Sequence, residues 1–451
     1  MIRNRGGQKI LNNCETVTAP GGHMIMLDCG ALFHDEDSIF SGSDNLFPNF
    51  DGINIDLLDA VFISHAHDDH MAAIVKLLQL RGYREGNPLV VYCSEITEIV
   101  IRNKIGYALN ERENVDKMIS PELAGNVEFR RLQPEQQIGD FKIYAFPVYH
   151  SIPGAYIFVV EIDGKRICYL TDFRFNLRDQ IEWNRTFQTL TNIGSLGIDF
   201  LMIDVIGYPN RKEAPTLQAV AHEFGEIINL FAKNVEEHSQ FAQVANEIGD
   251  RKVDVVGGPN SAINFFCREF GVIRKRLQQG FKENSKVSLI SGCMAESSAT
   301  LTLASYGKSD HLKFDKNTVV IIPTRIIPGT KSKVNQMIAR LTELKDSEGN
   351  YQIFKIVVTE MEPKLLKHLN DKDQNFKEKC GDRVLVCPKL HCSGHATRPE
   401  IKLAIETIAP EEIAGIHANA TTRHEFENRI PSWFGGKITV NTLDANDYVM
   451  I

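Results

Sequence analysis

The sequence predicts an α/β protein of two unlike parts: a strand-rich first part and a second part in which strands and helices alternate. Three observations carry that prediction. Four potential metal ligands, His65, His67, Asp69 and His70, crowd into ISHAHDDH directly after an apolar run. Several separate apolar runs end in His or Asp. Beyond Asp204 the text changes to a βαβα rhythm, which implies a mostly parallel sheet covered by helices.

From Lys9 to Gly30 the pattern predicts strand, turn and strand, with Gly21 and Gly22 at the turn and Met24 to Leu27 as the second strand. Asp28 closes that strand, where a carboxylate can hydrogen-bond a metal-bound His. An ordinary turn Asp is the competing reading. Residues 31–56 are rich in Asp, Asn, Ser, Gly and Phe and read as a surface loop, with Phe40, Phe47 and Phe50 packing on the core or flanking a groove. Leu57 to Ile63 is a short buried strand. Asp69 to Leu80 then carries Met71, Ile74, Val75, Leu77 and Leu78 on a helical face that Gly82 can end. Two positions apart on an extended segment, His65 and His67 point the same way and can clamp one ion. Asp69 and His70 enter the helix and can serve a second. Imidazole and carboxylate donors suit Zn²⁺, with Mn²⁺ the lesser choice. A solvated His-rich loop is the bland competitor, and four donors at this spacing disfavour it.

Between Asp140 and Asp172 three strand signals occur in succession. Phe141 to Phe146 alternates, and Pro147 interrupts it ahead of Val148, Tyr149 and His150. Tyr156 to Ile162 and Arg166 to Leu170 flank Asp163-Gly164, a two-residue hairpin signal. His150 and Asp172 fall just past strand ends, and Phe200 to Asp204 again ends an apolar strand in a carboxylate. Separate strands thus deliver His or Asp to one edge, where rigid supports can assemble a metal site.

The boundary between the two parts is expected close after Asp204. In the second part Asn234 caps a helix carrying Phe241, Val244, Ala245 and Ile248, with Gly249 as its stop. Val253 to Val256 is a strand, and Asn260 opens a helix that Gly271 can close. Val319 to Ile322 is a strand, and Thr330 caps a helix with Val334, Met337, Ile338 and Leu341 at helical spacing. Val384 to Cys387 returns to strand and leads into LHCSGHAT. There Thr397 and Glu400 form a capping box with Pro399 in the first turn, ahead of Ile401, Ala404, Ile405 and Ile408. Ile413 to His417 is a last strand ending in His.

Composition is ordinary for a globular protein of 451 residues, 43% hydrophobic and 24% charged. The net charge of −8 carries no global basic signature, so a nucleic-acid partner has to be met by a local cleft or by metal. Nine cysteines without a C-x-x-C pair read as reduced thiols of a cytosolic protein. With a polar N-terminus and no apolar run near about 18 residues, the chain is expected to be soluble, unexported and cytoplasmic, with no membrane association.

In this order the motifs resemble the β-CASP nucleases of the metallo-β-lactamase superfamily, and among them the ribonuclease J family. The likeness is carried by His65 to His70, PVYHSIPG, LTDFR, LMID, CSGHA and Ile416-His417. FAKNVEEHSQ, SGCMAESSA and IIPGTKSKVNQMI add to it in the second part. The resemblance implies a metallo-β-lactamase αββα sandwich over residues 1–206 and 386–451, interrupted by an inserted α/β β-CASP domain over 207–385. It implies two Zn²⁺ ions (or Mn²⁺). His65, His67 and His150 would hold the first, Asp69, His70 and His417 the second, and Asp172 would bridge them. His395 would meet the scissile phosphate and Asp204 would orient it, placing His395, Asp204 and Asp69 in the catalytic set. Asp28 would support a metal-bound His. The substrate implied is single-stranded RNA threaded between the domains, cut by 5′ exonuclease action, endonuclease action or both. A homo-oligomer is left open.

The residues suit this chemistry on their own terms. Two metal ions can bring water near neutral pKa and offset charge on a phosphoryl group. A His held by a carboxylate is a suitable proton donor to the leaving oxygen. Ser393, Gly394 and the capped helix start offer a hydroxyl and N–H groups to phosphate oxygens, as Pro328, Gly329 and Thr330 could from the other domain. The sequence departs from the family at Ile416 to Ala420, which lacks the Gly-Glu that often follows this His. Pro323 to Ile326 replaces a Ser-rich stretch, so the family's 5′-phosphate pocket is not carried over. Three alternatives compete. They are a small-molecule hydrolase on the same centre, a DNA-processing β-CASP nuclease, and a non-catalytic scaffold. The long insertion and CSGHA count against the first, and the filled donor positions count against the last.

Overall fold

The computed structural model describes residues 1–4, 12–31, 47–110, 119–150, 152, 154–175, 180–210, 254–256, 288–290, 293, 295, 299–309, 312–316, 318–323, 325–326, 330–390, 393–443 and 448–450. Phe40 and the helices expected from Asn234 and Asn260 lie outside them, as do the FAKNVEEHSQ text and Pro328-Gly329. The chain divides into two compact units, Met1–Thr216 with Ser393–Ile451, and Leu217–Cys392.

Strands are numbered along the chain. The first unit holds β1 (Ile2–Asn4), β2 (Glu15–Thr18), β3 (Met24–Leu27), β4 (Leu58–Phe62), β5 (Leu89–Cys93) and β6 (Val127–Arg131). It continues with β7 (Glu135–Ile138), β8 (Phe141–Val148), β9 (Ala155–Ile162), β10 (Lys165–Leu170) and β11 (Phe200–Asp204). The second unit holds β12 (Asp254–Val256), β13 (Ser288–Ile290), β14 (Val319–Ile322), β15 (Lys355–Val358) and β16 (Val384–Val386). The chain returns to the first unit with β17 (Glu412–Ile416), β18 (Thr439–Val440) and β19 (Tyr448–Val449).

Two seven-stranded sheets make the first unit, in the orders β19-β1-β2-β3-β4-β5-β6 and β18-β17-β11-β10-β9-β8-β7. Ile25, Leu27, Ala60 and Phe62 of the first sheet pack on Phe158, Val160, Tyr169, Phe200 and Met202 of the second. The residues between them, Met26, Val61 and Ile63, point the other way onto the helices Ile74–Arg81 and Glu95–Asn110. On the far side Leu170, Leu201 and Ile203 pack against the helices Gln180–Ser195 and Arg398–Ile408. The result is an αββα sandwich. Both faces of its central strands are covered, which is why those strands are apolar throughout rather than alternating.

Strand direction, more than layering, positions the functional side chains. β3 runs parallel to β4, and β10, β11 and β17 run parallel to one another. β8 and β10 both pair antiparallel with β9, so they too run the same way. Each of these strands therefore ends at a common edge.

Three local expectations need correction. Pro147 does not interrupt its strand, because β8 continues to Val148 with Pro147 opposite Tyr156. The Ala145 N–H donates to the Pro134 carbonyl on the β7 side. The N–H that Pro147 lacks would face that same side, beyond the end of β7, so nothing is lost. The helix expected from Asp69 to Leu80 is two, Asp68–Met71 and Ile74–Arg81. The Ala73 N–H is taken by the Cys29 carbonyl at 2.9 Å, which breaks the ladder between them. Thr330 stands ahead of the helix Lys331–Glu343 but makes no side-chain capping bond.

In the second unit β14, β15 and β16 form a parallel sheet, and β12 pairs parallel with β13. Val334, Met337, Ile338 and Leu341 of the helix Lys331–Glu343 are fully buried against Val320, Ile322 and Ile356. Among the described residues the cysteines are free thiols, and no described helix is long and apolar enough to cross a membrane.

Candidate metal centre

The common strand edge carries the centre. Past β3 comes Asp28; past β4 come Ser64, His65 and His67, then Asp69 and His70 in the first helical turn. β8 delivers His150, β10 delivers Asp172, β11 ends in Asp204 and His417 stands directly past β17. His395 arrives on the loop before the helix Arg398–Ile408. Asp28 and His417 turn sharply off their strands with positive φ, 59° and 57°, a conformation sparsely populated by residues with a side chain.

Close backbone contacts hold these loops. The Gly30 Cα faces the Asp69 carbonyl so tightly that an added Cβ would lie 1.7 Å from its oxygen. Around it the Asn13 N–H donates to Asp69 O at 2.9 Å and the Cys29 N–H to His70 O at 2.7 Å. At Gly207 an added Cβ would fall 2.0 Å from the Ala396 carbonyl, fixing the loop that bears His395.

Three overlapping groups of donors could each hold an ion: His65, His67, His150 and Asp172; Asp69, His70 and His417; and Asp172, Asp204, His395 and His417. In the first, His67 Nδ1 lies 2.9 Å from His65 Nε2 and 3.1 Å from His150 Nε2. Asp172 Oδ2 stands 3.5 Å from His65 and 3.3 Å from His150. In the second, Asp69 Oδ2 lies 3.1 Å from His417 Nε2 and 3.7 Å from His70 Nε2. The other Asp172 oxygen, Oδ1, is 3.4 Å from His70 Nε2 and 2.8 Å from His417 Nδ1. Asp172 thus turns one oxygen to each of the first two groups.

Partners behind the rings fix their direction. Asp28 is fully buried and accepts from the Ser64 N–H, the Ser64 hydroxyl, the Tyr169 hydroxyl and His70 Nδ1 at 2.7–2.9 Å. That leaves His70 Nε2 facing the donors. His150 Nδ1 donates to the Gly394 carbonyl at 2.9 Å, which likewise turns Nε2 inward. Ser64 Oγ lies 3.0 Å from His65 Nδ1. Asn13, buried at 3.1 Å from His70 Nε2, joins this network. Neither Asn13 nor Tyr169 carries a sequence pattern that points to it.

Charge in the cluster is lopsided. Burial, reinforced at His65 by His70, pushes the His65 imidazole far below its ordinary value, and burial takes His150 to about 3. Both are neutral, as a metal ligand must be. At His70 burial acts in the same sense, but Asp172, Asp69 and Asp28 outweigh it and raise the ring to about 10. Burial would lift the Asp69 carboxyl, yet His70 and His417 hold it down near 2. At Asp172 burial is likewise overcome by His417, His395 and His70. Protons on histidines thus stand in for the positive charge these buried carboxylates require. His417 Nδ1 is also buried without the alignment of a hydrogen bond to its near neighbour Asp172. Convergent nitrogens, anionic oxygens and an unsatisfied ring nitrogen fit a divalent cation.

His395 and Asp204 stand beside the first two groups. His395 Nδ1 is 2.9 Å from Asp204 Oδ2 and 3.6 Å from Asp172 Oδ2. Its side chain is 24% exposed, against 2% or less for Asp172 and Asp204, so it is the member of the pair a substrate can reach. Burial disfavours its protonation, but Asp172 and Asp204 raise its pKa on balance. Ser393 Oγ accepts the His395 N–H at 3.2 Å. Gly394 lends its carbonyl to His150 rather than to the centre.

The chain is similar to known proteins over most of its length. Residues 23–233 match the family described as a beta-lactamase superfamily domain, and residues 226–341 match the ribonuclease J beta-CASP domain. The ribonuclease J of Mycolicibacterium smegmatis is 24% identical over 442 residues, covering 93% of this chain and 68% of the relative. The ribonuclease J of Mycoplasma pneumoniae is 22% identical over 426 residues, covering 90% of this chain and 65% of the relative. The chain therefore spans about two thirds of those relatives' length. A crystal structure of a protein of unknown function from Enterococcus faecalis aligns over 100% of this chain and 99% of its own, with TM-score 0.51 at 15% identity. At that identity it speaks for the fold alone.

Proposed function

Because the chain belongs to the β-CASP branch of the metallo-β-lactamase superfamily, we propose that it is a metal-dependent ribonuclease that hydrolyses phosphodiester bonds in single-stranded RNA. The observation that carries the reading is Asp172 standing between two donor groups, with the His395–Asp204 pair alongside. RNA, rather than a small molecule, is favoured by the match to the ribonuclease J β-CASP domain.

His65, His67 and His150 would hold one cation, Asp69, His70 and His417 the other, and Asp172 would touch both. Zinc suits this imidazole–carboxylate set best, with manganese next. When bound, such cations supply positive charge that acidifies water and offsets charge on phosphoryl oxygens. The chain's own residues do the rest. Asp204 accepts from His395 Nδ1 and so fixes the ring, leaving Nε2 to face the scissile phosphate. As the new bond to the water oxygen forms and the bond to the leaving oxygen breaks, His395 donates the proton that the leaving oxygen takes. Ser393, with the start of the helix Arg398–Ile408, would steady the non-bridging oxygens.

The reading is tested with end-labelled RNA bearing a 5′-monophosphate, 5′-triphosphate or 5′-hydroxyl, beside DNA, nitrocefin and lactone controls. Shortening from the 5′ end, internal cuts or both are the expected products. A metal-loaded protein that leaves every RNA intact would end the proposal. In the same assay His395→Ala should lower turnover about 10²–10⁴-fold, the range for losing a positioned acid. Metal content by mass spectrometry should stay unchanged.

A further inference from the structure

Resting on the ribonuclease reading, we propose that Arg174 is a positioning residue that sets the reach of His395 without touching substrate. Arg174 lies two residues past Asp172 and is 1% exposed. Its own backbone is pinned on both sides. The Arg174 N–H donates to the Tyr149 carbonyl at 3.0 Å, and its carbonyl accepts from Thr186 Oγ1 at 3.3 Å.

From that fixed base the guanidinium extends to the loop bearing His395. Nη1 donates to the Ser393 carbonyl, and Nε faces Glu400 Oε1 at 4.0 Å. Glu400 in turn accepts from the Thr397 N–H and the Thr397 hydroxyl, both at 2.8 Å. One side chain therefore spans both flanks of His395: Ser393 before it and the capped helix start after it. His150, through the Gly394 carbonyl, holds the same loop from the metal side. Among the described residues the His395 ring has Asp204 as its close hydrogen-bonding partner, so the placement of its main chain decides where Nε2 points. Guanidinium suits the task because its rigid plane donates to the Ser393 carbonyl while its delocalised charge faces Glu400 at ion-pair distance, whereas a lysine ammonium is a single point charge. A loop displaced by about 1 Å costs on the order of 100-fold in rate even when no reacting group is removed.

The test uses the full chain with Arg174→Ala and Arg174→Lys. Arg174→Ala should lower kcat about 100-fold, with KM nearly unchanged and metal content intact. Arg174→Lys should fall between, and added guanidinium should restore part of the alanine variant's kcat. Hydrogen exchange of the peptide spanning residues 393–397 should quicken in Arg174→Ala, while that of residues 63–70 stays as in the wild type. Unchanged kcat, a loss confined to KM, or unaltered exchange at 393–397 would each overturn the proposal. If the wild type does not cleave RNA, the ribonuclease reading falls separately, and the exchange measurement still decides whether Arg174 pins the loop.

Discussion

At the scale of single residues, the candidate centre depends on groups that stand behind its donor rings. Asp28 gathers four donors on one buried carboxylate and aims His70 by one of them. Replacing it with Asn keeps the shape and tolerates the positive φ, so what is removed is the charge and one acceptor oxygen, whose place an NH2 donor takes. Asp28→Asn should weaken metal binding about 10–100-fold, read by chelator competition. Glu15, on β2, gives the opposite lesson. Burial raises its carboxyl well above the ordinary 4.5, with Arg423 pulling it down and Asp28 pushing it further up. The folded chain then keeps a proton that the unfolded chain has lost. Stability is full below about pH 4.5 and falls as pH rises towards the folded value. In denaturant melts at pH 5 and pH 8, Glu15→Gln should shrink the wild-type drop in stability between the two.

At the scale of elements, the sharpest demand is backbone against backbone. The stretch after β3 lies on the turn before the helix Asp68–Met71 with no room for a side chain at Gly30. Gly30→Ala should cost about 3 kcal/mol or more, at the upper end of overpacking, and should release bound metal, both visible in a thermal melt with metal analysis. Elements are legible in the sequence where burial is two-sided. Met24 to Leu27 and Phe200 to Asp204 read as strands because every residue is covered. Pro147 and Thr330 mislead because their meaning lies elsewhere. Whether a missing N–H matters depends on where β7 stops, and whether a threonine caps depends on its own backbone angles. The break at Ala73 is set by the Cys29 carbonyl, which no local pattern announces.

At the scale of the whole first unit, the sequence shows which donors exist but not how they divide. The H-x-H-x-D-H spacing places four donors on one turn. That Asp172 splits its two oxygens between groups is a property of several strands ending together. Tyr169 reaches Asp28 across 141 positions, a separation at which spacing carries no information. On the proposed reading, in which divalent ions offset the buried carboxylates, stripping those ions should destabilise this unit. At a concentration about 100 times Kd the bound ion contributes about 2.7 kcal/mol. Chelation should then lower the melting temperature by about 5–10 °C, and re-addition of zinc should restore it.

β17 slots between β11 and β18 rather than along a rim, and it brings His417 with it. The strands before it already gather His65, His67, His150 and Asp172, but Asp69 and His70 gain their third partner only from it. On the ribonuclease reading, a chain lacking β17 would keep the first donor group and lose the second.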